Sequence, residues 1–140
     1  MKRQFDVDKI LIVDDDKDVV EAICAAFDDN FPGIISIKAF DGNEALDQFE
    51  RHWSAVIVLD LMLPKRSGFL VMEKLSEIAG KGVGKTKLPI VIMITGNLGQ
   101  RHKVYGESMG IWQYLFKPFR MEKLCDCVRE ALALARSAKT

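Results

Sequence analysis

Five short strand-like runs, most of them apolar throughout and each followed by a stretch with helical spacing, constrain this chain more than any other feature. The runs are Ile10 to Val13, Ile34 to Ala39, Ala55 to Leu59, Pro89 to Ile94 and Trp112 to Phe116. Between them, apolar residues recur at intervals of three and four. Val19, Val20, Ile23, Cys24 and Phe27 form the first such stripe, and Ala45, Leu46 and Phe49 the second. Val71, Met72, Leu75 and Ile78 follow Ser67, and Leu124, Val128, Ala131, Leu132 and Ala135 close the chain. A further helix is expected over Gln100 to Met109, although Gly106 inside it costs about 1 kcal/mol relative to alanine. Asp41-Gly-Asn-Glu44 has the form of a capping box at the start of the second helix, with Glu44 reaching back.

Strands that are apolar on both faces and alternate with helices belong in a parallel sheet covered on both sides. The expected class is therefore α/β, a five-stranded parallel sheet in three layers. Right-handed crossovers place the carboxyl ends of all five strands on one edge, where ligand crevices form in open sheets. At 140 residues the chain is expected to be one domain, residues 1–140.

Charge and composition narrow the function classes. Twenty basic residues balance 20 acidic ones, which leaves no electrostatic footprint for nucleic acid or an anionic membrane. Runs such as Ile90 to Ile94 are too short to span a bilayer. The opening MKRQFDVDK lacks the apolar region of a signal peptide, so a cytoplasmic location is expected. Cys24, Cys125 and Cys127 form neither a zinc spacing nor a disulfide framework and read as small buried or half-buried residues. His52 and His102 are isolated.

The carboxyl ends of the strands carry the chemistry. The first run delivers Asp14 and Asp15, the third Asp60, the fourth Thr95 and the fifth Lys117. Each has a plain alternative: the Asp14–Asp16 trio as a helix cap, Asp60 as a turn residue before Pro64, Lys117 as a solvated end. Together they bring three carboxylates, a hydroxyl and an ammonium to one sheet edge. Two carboxylates about 5 Å apart repel by roughly 3 kcal/mol at an effective dielectric of 20. A divalent cation relieves that repulsion, and an all-oxygen donor set suits Mg²⁺. Asp60 could then attack phosphorus to form an acyl phosphate, with Lys117 and Thr95 holding the phosphoryl oxygens.

The segments ILIVDDD, VIVLDLMLPKRSG, VIMITG and YLFKPF, at these spacings, resemble the receiver domain of two-component response regulators from about Lys9 to Arg136. The resemblance implies the flavodoxin-like, doubly wound strand order 2-1-3-4-5. It implies that Asp60 is the phosphoacceptor, receiving its phosphoryl group from a histidine kinase or a histidine phosphotransfer protein. It further implies Mg²⁺ held by Asp14, Asp15, Asp60 and the backbone carbonyl of Met62. Thr95 and Lys117 correspond to the groups that contact the phosphoryl oxygens, and Tyr114 to an aromatic that rotates on activation.

Residues 79–86, AGKGVGKT, look like a nucleotide-binding glycine loop, but such a loop must leave a strand and open a helix. Here the segment follows a helix and enters a strand, which makes it a connector. A haloacid-dehalogenase-like phosphatase would share the aspartate, Mg²⁺, hydroxyl and lysine. It also needs a second acid two residues after the nucleophile, where this chain has Met62. A phosphorylation-independent adaptor would be expected to lack an acid or the lysine, and all are present.

The sequence departs from the receiver pattern at Gly96, after Thr95, and at Ile111, after Gly110. Gly96 removes bulk beside the expected phosphoryl site, while Met62 offers no polar group to orient an attacking water, so a phosphorylated lifetime of minutes or longer is expected. Glycines 96, 99 and 106 suggest a loop and fourth helix that phosphorylation orders. Trp112, Tyr114 and Phe116 are expected on one side of the last strand, either read by a partner or buried against the final helix. About 20 residues follow Lys117, enough for that helix alone, so output is expected through docking to a downstream target protein, or by passing phosphate to a histidine phosphotransfer domain, rather than through DNA. An excised receiver of a hybrid kinase or larger regulator fits the sequence equally well.

Overall fold

The computed structural model describes residues 4–80, 88–96 and 110–139. Its strands are β1 (Asp6–Val13), β2 (Ile35–Ala39), β3 (Ser54–Asp60), β4 (Ile90–Thr95) and β5 (Gln113–Phe116). Its described helices are α1 (Lys17–Asn30), α2 (Gly42–His52), α3 (Gly68–Gly80) and α4 (Met121–Lys139). The strands form one sheet in the order β2-β1-β3-β4-β5, and every neighbouring pair is parallel. The α/β class, the parallel pairing and the strand order all match expectation. No described helix is long and apolar enough to cross a membrane.

Alternation along the strands builds two cores. Ile10, Ile12, Val56, Val58, Ile92 and Ile94 face one way, in a cluster with Val20, Ile23 and Phe27 of α1 and Leu124, Val128 and Leu132 of α4. Their neighbours Leu11, Val13, Ile57, Leu59, Val91 and Met93 face the other, with Ala45 and Phe49 of α2 and Val71, Met72 and Leu75 of α3. All seven residues of β3 are buried, which is why that run reads as continuous rather than alternating hydrophobicity.

Carboxylates set the starts of α1 and α2. Asp16 has extended backbone and accepts from the N–H groups of Asp18 and Val19, capping α1. Asp41 does the same for α2, accepting from Glu44 N–H at 2.8 Å. The return arm of the expected box differs: Glu44 Oε1 accepts from Phe40 N–H at 3.0 Å, one residue beyond the cap. At the other end, α2 stops at Trp53 in left-handed backbone (φ 48°), whose N–H bonds to Phe49. The Trp53 ring centroid lies 5.2 Å from that of Phe49 and 5.7 Å from that of Phe5, and this packing offsets the cost of the conformation.

Three sequence expectations change. β1 begins at Asp6, four residues before the apolar run, because the Asp6 N–H donates to the Trp53 carbonyl at 2.7 Å. The final aromatic row is broken: Trp112 precedes β5 and packs against the α1/α4 cluster, whereas Tyr114 packs on the α2/α3 side and Phe116 is 47% exposed. Helix α3 runs through Ala79 and Gly80, so the glycine-rich stretch does not begin as a loop. Its residues 81–86, the expected helix over Gln100 to Met109, and Gly99 and Gly106 lie outside the described residues. The three cysteines are free thiols, Cys24 and Cys125 buried and Cys127 half-buried.

Candidate functional site

The sheet's carboxyl edge gathers the predicted groups. Asp14 immediately follows β1, and its N–H extends the ladder by donating to the Ala39 carbonyl. Asp60 and Thr95 are the last residues of β3 and β4. Lys117 follows β5, with its N–H on the Thr95 carbonyl at 2.7 Å and a cis peptide to Pro118. Parallel register therefore delivers four separate segments to one place. Asp14, Asp60 and Thr95 are buried, while Asp15 is exposed.

Carboxylate oxygens of Asp14, Asp15 and Asp60 lie within 4.8 Å of one another. Lys117 Nζ donates to Asp14 Oδ2 at 3.0 Å and reaches Asp60 Oδ2 at 3.4 Å. The other Asp60 oxygen accepts from Met62 N–H at 3.2 Å, and Asp14 Oδ1 accepts from Asp16 N–H at 2.9 Å. One ammonium is thus shared by two of the three acids.

Electrostatics follow from that imbalance. Burial raises the pKa of Asp60, and the neighbouring Asp14 carboxylate raises it further. The Met62 N–H and the Lys117 ammonium pull the other way without cancelling the effect. For Lys117, burial works against the charged form, but the hydrogen bond and charge of Asp14 and the charge of Asp60 outweigh it, and its pKa is raised. The pocket holds Lys117 charged and leaves Asp60 more basic than an ordinary aspartate.

The donor set passes a test of fit for a small hard cation. All its side-chain donors are carboxylate oxygens, they converge, and their mutual repulsion is only partly answered by Lys117. Among the described residues, no other group of three or more His, Cys, Asp or Glu side chains converges in this way.

Other predicted residues stand around this cluster. Asp16, third of the aspartate run, caps α1 and is not part of the group. Tyr114 lies in β5 opposite Met93, two residues short of the strand's end, half-buried on the α2/α3 side. The Met62 side chain is 72% exposed and apolar. Among the described residues, none would come within 4 Å of a Cβ on Gly96.

Sequence reading missed the surroundings of the loop between β3 and α3. Gly68 N–H donates to the Leu61 carbonyl at 2.8 Å, closing the loop on itself. Arg66 Nε donates to Asn43 Oδ1 at 2.8 Å, and Lys65 Nζ pairs with Asp41 Oδ2 at 3.4 Å. Turn residues were visible in both PKRSG and DGNE, but only the placement of α2 beside that loop brings them together.

Comparison with known proteins agrees with this geometry. The family model described as "Response regulator receiver domain" matches residues 10–129. The chain is 37% identical over 131 residues to the transcriptional regulatory protein CiaR of Streptococcus pneumoniae, covering 94% of this chain and 53% of that protein. It is 35% identical over 121 residues to DltR of Streptococcus agalactiae, covering 86% of this chain and 50% of that protein. The chain thus spans about half the length of these curated relatives. Among solved structures, the receiver domain of the Francisella response regulator 1452 superposes with a TM-score of 0.76 at 30% identity, covering 89% of this chain and 96% of that one. The signal receiver domain of a LuxO repressor protein from Vibrio parahaemolyticus shares the fold, with a TM-score of 0.82 at 23% identity and 94% of each chain covered.

Proposed function

The chain belongs to the family of response regulator receiver domains, and from that premise we propose that Asp60 is its phosphoacceptor, taking a phosphoryl group from the phosphohistidine of a histidine kinase or histidine phosphotransfer protein. The observation that carries the reading is the Lys117 ammonium held against the buried carboxylates of both Asp14 and Asp60. In the transfer, an Asp60 carboxylate oxygen forms the new bond to phosphorus. The phosphorus–nitrogen bond of the donor breaks, and the imidazole leaves with the electron pair.

Lys117 and the Thr95 hydroxyl hold the transferred oxygens, charge stabilisation of the kind that dominates phosphoryl transfer. Asp14, Asp15, Asp60 and the Met62 carbonyl are the groups that would hold Mg²⁺, which supplies positive charge to screen the phosphoryl group from the acids when bound. Once Asp60 carries phosphate, its contact with Lys117 must be remade. Rearrangement at Thr95 and rotation of the half-buried Tyr114 then alter the surface that a downstream target protein reads.

We read residues 1–140 as one receiver unit acting through protein docking in the cytoplasm. The curated relatives are about twice as long, and in a larger regulator the same switch would act on whatever is attached to it. The family is a signalling one, and turnover of external phosphoesters is not proposed.

Incubation with Mg²⁺ and acetyl phosphate, followed by intact mass, tests the assignment. One phosphoryl group should be added, and both Asp60→Ala and chelation should abolish the addition. An adduct that survives in Asp60→Ala removes Asp60 from the role.

A further inference from the structure

The loop between β3 and α3 carries Met62, whose N–H already rests on Asp60. Its near side is closed by Gly68, where a Cβ would lie 2.8 Å from both the Asp60 carbonyl oxygen and Leu61 Cα, so the chain packs there as tightly as glycine allows. Its far side lies on the first turn of α2. A Cβ on Gly42 would stand 2.4 Å from Arg66 Cβ and 2.8 Å from the Arg66 carbonyl oxygen. The Pro64 carbonyl accepts from Gly42 N–H at 3.5 Å, a long bond.

Side chains reinforce that seat. Arg66 Nε donates to Asn43 Oδ1 at 2.8 Å. Asp41 uses one oxygen to cap α2 and turns the other to Lys65 at 3.4 Å. Lys65 itself sits in left-handed backbone, φ 69°, a conformation that a lysine keeps only when its surroundings fix it. Because the Lys65 side chain is largely exposed, the ion pair contributes little by itself. The close backbone contact at Gly42 and the Arg66–Asn43 bond are the stronger restraints.

Accepting the functional reading above, we propose that Gly42 and Asn43, at the start of α2, are positioning residues for the acidic pocket, seating the loop 61–67 so that the Met62 peptide stays aligned with Asp60. Neither residue contacts the acids. Their effect passes through Arg66, Pro64 and the short loop to a group that is to face the bound cation. Contacts made directly to a metal ligand typically change affinity by about 10–100-fold when removed, and contacts acting at one remove belong at the low end of that range.

The experiment is calorimetric titration of the full chain with Mg²⁺ alone, with thermal unfolding of the metal-free forms run beside it. Gly42→Ala drives a methyl group into Arg66, and the double variant Asn43→Ala/Lys65→Met unties the side chains. Both should bind Mg²⁺ roughly tenfold more weakly. Asn43→Asp, which keeps an oxygen for Arg66, should restore parental affinity. Lys74→Met, which removes the Lys74–Glu77 pair elsewhere on the surface, should change nothing. If Gly42→Ala fails to fold, the double variant decides the matter. A double variant that binds Mg²⁺ within twofold of the parent overturns the positioning role alone. A parent that neither binds Mg²⁺ nor takes up a phosphoryl group overturns the functional reading and this inference with it.

Discussion

Lys117 Nζ stands 3.0 Å from Asp14 Oδ2, joining side chains 103 positions apart in the chain. The lysine side chain is 31% exposed and the aspartate side chain 1%, so the ammonium lies at the mouth of a site whose Asp14 and Asp60 carboxylates are inside. An ion pair so placed does two jobs. It lowers the cost of burying Asp14, and it leaves a cation ready to transfer its contact to an arriving anion.

Replacing Lys117 by methionine keeps much of the stem and removes the charge. Asp60 then loses two of the influences that hold its pKa down, and a phosphoryl group loses a charged partner. The rate of phosphoryl uptake from acetyl phosphate should fall by roughly 10²–10³, the usual effect of deleting one charge-stabilising donor. Time-resolved intact mass measures it, and a change below tenfold would show that Lys117 is dispensable.

Asp15 is the exposed member of the trio and adds a third carboxylate to two that already share Lys117. Asp15→Asn should therefore raise the thermal midpoint of the metal-free protein slightly. It should also remove most of the stabilisation that Mg²⁺ confers on the parent. Thermal scans with and without Mg²⁺ give both readings, and a variant stabilised by the ion as strongly as the parent would exclude Asp15 from the cation site.

Asp41 provides a dependence on pH away from the acidic cluster. The hydrogen bond from Glu44 N–H holds its pKa below the usual carboxylate value, with Lys65 helping. A depressed folded-state pKa means stability that is present above the unfolded-state value near 4 and is lost as pH falls through the folded one. Asp41→Ala should cost about 1 kcal/mol at neutral pH, and the gap from the parent should narrow in acid. Asp41→Asn keeps a capping oxygen and should lose less. Urea unfolding across the acid range tests the pair, and a gap that widens as pH falls would contradict the sign.

Gly96 and Met62 bear on how long phosphate stays on Asp60. Gly96 carries no side chain beside Thr95, which eases entry of small donors and of water, but Met62 has no polar group to orient an attacking water. The phosphorylated protein should persist for minutes or longer. Met62→Glu places a carboxylate where it can orient water and should shorten that lifetime. Decay within seconds in the purified parent would show that the exposed methionine does not protect the acyl phosphate.

Much of this molecule was legible in one dimension. Strand β3 declares itself through Ser54–Asp60, because a strand buried on both faces must be apolar at nearly every position. Asp14, Asp60, Thr95 and Lys117 could be assigned to one edge because parallel pairing with right-handed crossovers leaves no other place for strand ends. Helix caps at Asp41 and Asp16 follow from local chemistry, since a short carboxylate reaches the free N–H groups of the next turn.

What depended on packing between distant segments was not legible. Trp112 left its expected row because the strand starts one residue later and its ring finds room on the α1/α4 side. Glu44 chose Phe40 over the cap residue itself, a matter of one peptide's orientation. The seat of the Arg66 loop on Gly42, the left-handed Lys65 and the choice of Asp14 as the nearer partner of Lys117 all arise between segments far apart in sequence. Periodicity and local hydrogen bonding act within a few residues, so sequence determined which elements form and which edge holds the acids. Contact distances depend on how finished elements pack, and only the tertiary structure decided those.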